Sequence, residues 1–174
     1  VERSRGLGDV YKRQDIYSAW DAKQVGQAKQ DSWAVQFASY QQNYPQLAQE
    51  LERRCNAELP EDWQAAASTA LAEIVAEQQS VATRKASERA LEGIGPLLPE
   101  LTGGSADLTG SNNTWWSGCK GIFPDDASGN YIYYGVREFA MSAMMNGMAL
   151  YGGFIPYGGT FLTFSDYARN AVRM

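Results

Sequence analysis

Between Asp15 and about Arg54, apolar positions recur at helical rather than alternating spacing. Trp33, Val35, Phe37, Ala38 and Tyr40 precede a break at Asn43-Tyr44-Pro45, after which Leu47, Leu51 and Arg54 resume the period. A second break falls at Leu59-Pro60-Glu61-Asp62, where Asp62 is placed to cap the next helix. Residues 63–79 are rich in Ala and Gln and poor in aromatics, which predicts a helical connector rather than a core.

Beyond Gly93 the texture changes. Turn clusters at Gly103-Gly104, Gly110-Ser111-Asn112 and residues 125–129 separate short apolar runs. Ile132-Tyr133-Tyr134 predicts a short strand ending at Gly135, followed by a helix from Arg137 to Leu150 with Met141, Met144, Met145 and Met148 on one side. Phe154-Ile155-Pro156-Tyr157 is a second extended run, stopped by Gly158-Gly159, and Phe161 to Met174 predicts a final helix. Strand, glycine and helix in alternation predict an α/β fold with a parallel sheet. In such sheets ligands meet the carboxyl ends of the strands, so the residues after each strand are the ones to inspect.

Composition narrows the chemistry. The 174 residues carry a net charge of −5, which gives no electrostatic case for nucleic acid or an anionic membrane. Residues 1–14 hold four basic and two acidic side chains, against 11 basic and 18 acidic in the remainder. Their charge and pattern suggest a spurious translated stretch, set apart from the functional argument. Cys55 and Cys119 form no CxxC motif and are expected to be reduced thiols, as in the cytoplasm. Histidine is absent, which removes Ser-His and Cys-His nucleophile systems and most zinc sites. No apolar run is long enough for a membrane span.

Four places carry potential chemistry. Gly103-Gly104-Ser105-Ala106-Asp107, continuing to Asn112, is either a turn-rich loop or a place where backbone approaches a ligand closely. Glu138, in Gly135-Val136-Arg137-Glu138-Phe139, is either an acid favoured by a helix N-terminus and paired with a base such as Arg137, or a site residue at a strand's end. Phe161, Phe164 and Tyr167 share a helix face, as core or as a stacking platform for a flat ligand. Arg84 and Lys85 read as ordinary solvated helix residues, and Asp125 and Asp126 have no third ligand for a metal.

Taken together, the segments ATRKAS, LLPELTGGSADLTGSNNT, GNYIYYGVREFAM and NGMALYGGFIPYGGTFLTFSDYARNAVRM closely resemble transketolase, densely from Ala82 onward. The resemblance implies a helical end of the preceding domain and a linker over residues 15–80. It also implies an incomplete, parallel-sheet pyrimidine-binding domain for thiamine diphosphate over residues 81–174. The implied reaction moves a two-carbon ketol unit from a ketose phosphate to an aldose phosphate in the pentose phosphate pathway, with the cofactor as electron sink. By the same resemblance, Glu138 hydrogen-bonds N1′ of the aminopyrimidine, and the shared proton favours the imino tautomer needed to deprotonate C2. Phe164 stacks on the pyrimidine ring, with Phe161 and Tyr167 as pocket wall and Asp107 close to the cofactor. Arg84 and Ser111 hold the sugar phosphate, a guanidinium fork and a hydroxyl suiting a dianion.

The resemblance further implies a cytoplasmic homodimer with its active site between subunits. Magnesium or calcium, with its ligands, and the substrate-binding histidines are expected outside this chain, so the chain alone is expected to be inactive. Thr109-Gly110 departs from the family, where many members have a proline before the serine. Two other readings stay open: a related thiamine-diphosphate enzyme such as a deoxyxylulose-phosphate synthase or one half of a split transketolase, and a non-catalytic helical interaction module suggested by residues 63–79.

Overall fold

The computed structural model describes residues 14–174, so all but the last residue of the stretch set apart above lies outside the described residues. The chain divides into two compact units, one ending at Gln49 and the other running from Glu50 to Met174.

The first unit is helical. Helices α1 (Gln14–Trp20) and α2 (Lys23–Asn43) are separated by a break that the apolar period does not reveal. Its cause is local: the Asp21 carboxylate accepts the Lys23 amide at 3.1 Å, a side-chain bond that competes with continued helix. The expected break at Tyr44 is present, and Pro45 opens helix α3 (Pro45–Cys55) at the one position where a missing N–H costs nothing. Along α2 the rings of Trp33, Phe37, Tyr40 and Tyr44 contact in sequence, with centroids 5.3–6.3 Å apart.

The second unit begins with the last turn of α3. Helix α4 (Trp63–Ala76) starts after Asp62, but the Asp62 side chain makes no capping bond; its carbonyl accepts the Ala66 amide instead. Helix α5 (Thr83–Ile94) packs back against α4. Gly93 permits this, since a Cβ there would lie 3.3 Å from the Ala70 Cβ. Arg89 ties the connection down through Glu77 at 2.9 Å and Gln79 at 2.5 Å.

Three parallel strands follow: β1 (Leu101–Ser105), β2 (Tyr131–Tyr133) and β3 (Ile155–Gly159), in the order β2-β1-β3. Gly103 pairs with Tyr131 on one side and Tyr157 on the other. The glycine pair Gly103-Gly104 is therefore central strand, not the turn its composition suggests. A Cβ on Gly103 would sit 2.0 Å from the Tyr157 carbonyl oxygen, and one on Gly104 1.8 Å from that of Ile132. Gly158 and Gly159 likewise belong to β3 rather than ending it. A Cβ on Gly158 would meet the sulfur of Met145 at 2.7 Å.

A short helix, α6 (Thr109–Asn112), lies in the long connection from β1 to β2, and α7 (Glu138–Tyr151) joins β2 to β3. The methionines of α7 do not form one buried side: Met141 is buried and Met145 packs on the same cluster with Tyr134 and Ala106, whereas Met144 is exposed. The last predicted helix is in two parts. A 3-10 turn (Leu162–Phe164) precedes α8 (Ser165–Arg173), which buries Ala168 and Ala171 against α7 and accepts the Asn146 side-chain amide at Ala171.

At the start of β1, buried Glu100 receives both terminal nitrogens of Arg53, each at 2.9 Å. The same guanidinium donates twice to Glu50 at 2.8 Å and once to the Glu58 carbonyl at 2.6 Å, which fixes the end of α3 to the sheet.

Candidate active site

The carboxyl ends of the strands deliver the candidate residues. Beyond β1, Ala106 and Asp107 form the rim, and Asp107 adopts a left-handed backbone with φ 61°. Past β2 the chain turns at Gly135 (φ 66°), and Arg137 donates to the Tyr134 carbonyl at 3.0 Å. That bond directs Arg137 away from its neighbour. A pair with Arg137, one of the two readings the sequence leaves open, is not formed, and Glu138 has no hydrogen-bond or ion-pair partner among the described residues.

Glu138 is only 8% exposed and occupies the first position of α7, where unsatisfied amides and the helix dipole favour a carboxylate. It lines a cleft of about 670 Å³ together with Asp107, Phe164 and Tyr167. The Phe164 and Tyr167 rings stack with centroids 6.1 Å apart and 30° between planes. A buried carboxylate without a partner, faced by an aromatic wall, suits a flat heteroaromatic ring that offers a proton-bearing nitrogen. The cleft thus fits the pyrimidine end of the expected cofactor.

Phe161 lies elsewhere. It precedes the 3-10 turn, so it does not share a helix face with Phe164, and it lines a separate cleft of about 630 Å³ with Arg84, Asn112, Thr160 and the end of β3. Arg84 and Ser111 are neighbours: the guanidinium donates to the Ser111 backbone carbonyl at 3.3 Å. Both border a third cleft of about 570 Å³, with Lys85, Gly110 and Asn113, and Asn113 is again left-handed at φ 57°. Asp126 accepts from the Ser128 hydroxyl and pairs with Lys120, closing its loop. Both cysteines are free thiols.

A buried polar network that the sequence does not announce gives the loop after β1 its shape. The Ser105 hydroxyl donates to the Gly159 carbonyl at 3.1 Å and accepts from the Leu108 amide and the Asn112 side chain at 3.0 and 2.9 Å. Thr114 donates to Asn112 at 3.1 Å, and the Tyr131 hydroxyl joins Thr109 and Thr114 at 2.7 and 2.8 Å. Burial raises the Tyr131 pKa against the opposing effect of those hydroxyls, so it serves as a neutral strut. The density of Ser, Thr and Asn in residues 105–114 is the only trace of this network in the sequence.

Residues 79–174 match the transketolase pyrimidine-binding domain, and residues 8–60 match the transketolase thiamine diphosphate-binding domain. Fold and clefts thus have the character of a thiamine-diphosphate pyrimidine-binding domain. Transketolase 1 of Vibrio cholerae is 58% identical over 160 residues, and transketolase 2 of Aliivibrio fischeri 56% identical over 161; each alignment covers 92% of this chain and 24% of the relative. Two crystal structures of Pichia stipitis transketolase, a variant with xylulose 5-phosphate and a complex with sedoheptulose 7-phosphate, superpose with TM-scores of 0.81 and 0.80 at 41% and 42% identity. They cover 96% and 94% of this chain, which is 25% of each structure. The chain belongs to the transketolase family, and it spans about a quarter of the length of the relatives it matches.

Proposed function

We propose that this chain carries the pyrimidine-activating and phosphate-gripping part of a transketolase that moves a two-carbon ketol unit between sugar phosphates. The supporting observation is Glu138: buried, without a partner among the described residues, and set beside Phe164 and Tyr167 in one cleft. Thiamine diphosphate, when bound, supplies the nucleophilic carbon and the electron sink that a ketose cleavage requires. The work of this chain is to hold and orient. Glu138 exchanges a proton at its carboxyl with the ring nitrogen placed against it, and low water access strengthens that bond. Phe164 and Tyr167 fix the ring plane. Arg84 and Ser111 fix the phosphate end of the sugar, and relatives crystallised with ketose phosphates favour that substrate class.

The same reading places magnesium or calcium, with its ligands, on residues outside this chain, and the working enzyme as a cytoplasmic homodimer of the pentose phosphate pathway. The isolated chain should be inactive, since it spans only 24% of its relatives. Replacing Glu138 by Ala in the full-length enzyme should lower ketol transfer from xylulose 5-phosphate to ribose 5-phosphate by at least about 100-fold. Unchanged transfer would sink the proposal, as would carbon transfer that depends on pyruvate instead of a ketose.

A further inference from the structure

We propose that Lys85 is a second phosphate-binding cation, stored on Glu88 and handed to a phosphate dianion that enters the Arg84 cleft. The inference rests on the reading of Arg84 and Ser111 as phosphate-binding residues and adds a residue to it. Lys85 borders the same cleft as Arg84, Gly110 and Ser111, and no carboxylate lines that cleft. Arg84, for its part, has no acidic partner among the described residues, only the Ser111 carbonyl at 3.3 Å.

The ammonium of Lys85 pairs with Glu88, one turn along α5, and is 53% exposed against 23% for the carboxylate. An exposed pair of this kind is a weak anchor. A phosphate dianion beside Arg84 offers twice the charge of Glu88, and a lysine stem is long and flexible enough to follow it. The backbone adds to the attraction. The amides of Lys85 and Ala86 both bond the Ala82 carbonyl, at 2.8 and 3.0 Å, whereas those of Thr83 and Arg84 have no acceptor among the described residues. Arginine then supplies a fixed fork and lysine an adaptable point charge, with the Glu88 pair keeping the lysine from standing free when no anion is present.

Titration of the 174-residue chain with inorganic phosphate at constant ionic strength, followed by the amide resonances of Thr83, Arg84 and Ser111, tests this. Lys85→Met should weaken phosphate binding about fourfold, and Lys85→Arg should restore most of the loss. Glu88→Gln should tighten binding about twofold, because the ammonium no longer has to leave a carboxylate. Phosphate binding by Lys85→Met equal to that of the unsubstituted chain overturns the inference. If Arg84→Met abolishes binding in that case, the Arg84 reading stands without Lys85. If Arg84→Met is also silent, or the unsubstituted chain shows no phosphate-dependent shift, both fall together.

Discussion

Arg53 holds Glu100 through both terminal guanidinium nitrogens, across 47 positions of sequence, at the point where the central strand begins. Glu100 is 4% exposed, so this is a desolvated pair, and its carboxylate would be stranded without the arginine. Removing one partner of such a pair costs far more than removing a surface pair. Arg53→Ala should therefore destabilise the second unit by about 3 kcal/mol in urea unfolding at neutral pH. A loss within about 0.5 kcal/mol would show that the pair is only ornamental.

The same cluster sets an acid limit. Hydrogen bonds from Arg53 hold the Glu50 carboxyl at about 2. At Glu100 burial pushes upward, but the bonds from Arg53 outweigh it and leave the pKa below the ordinary 4.5. Both groups are depressed in the folded state, so their contribution is complete above 4.5 and is lost as pH falls toward 2. Unfolding free energy should fall steeply over that window, and a Glu50→Gln, Glu100→Gln double variant should show a shallower slope there. Parallel slopes would exclude the cluster as the cause.

Glu138 should separate stability from activity. Its side chain has no partner among the described residues but lies on the open amides of the α7 terminus, so Glu138→Gln removes a dipole-favoured charge at little cost in shape. We expect stability to change by less than about 1 kcal/mol while transfer activity of the full-length enzyme collapses. A loss of more than about 2 kcal/mol would mean that the carboxylate has a structural partner.

The two glycine types should respond oppositely to alanine. Gly104→Ala places a Cβ 1.8 Å from the Ile132 carbonyl oxygen in the middle of the sheet, and should cost more than about 4 kcal/mol or prevent folding. Gly110→Ala meets nothing within 4 Å and should stay within about 0.5 kcal/mol. Circular dichroism melts of the two variants decide the matter.

Tyr131→Phe deletes the hydroxyl shared by Thr109 and Thr114 while keeping the ring packed on Trp115 at 4.8 Å. The expected loss is about 1–2 kcal/mol, with amide shift changes concentrated in residues 106–114. Shift changes spread evenly over the sheet would instead point to a packing role.

Legibility in the sequence followed the range of the interactions. Helix breaks at Pro45 and Pro60 were plain because proline acts on its own backbone, and the strand-helix alternation from Ile132 onward gave the α/β class. Gly103-Gly104 has the composition of a turn, but what demands glycine there is the carbonyls of neighbouring strands, more than 25 positions away in sequence. Phe161 and Phe164 have helical spacing, yet Phe161 precedes the 3-10 turn that contains Phe164. Arg84 has nothing in its local sequence to set it apart from a solvated helix base, and only the fold brings it to the Ser111 carbonyl. The Arg53 clamp and the Ser105–Tyr131 network left almost no local signal, since each joins side chains from distant elements.

The left-handed residues Asp107 and Asn113 bracket α6, one at the Glu138 cleft and the other at the Arg84 cleft. For a β-branched residue that backbone costs roughly 1–2 kcal/mol, whereas Asn, Asp and Gly adopt it readily. Drift at both sites over evolutionary time is thereby channelled into three residue types by the main chain alone, whatever ligand the clefts accept. A directed-evolution library aimed at new acceptors should freeze these two codons and randomise Leu108 and Gly110, which line the same clefts without left-handed backbone.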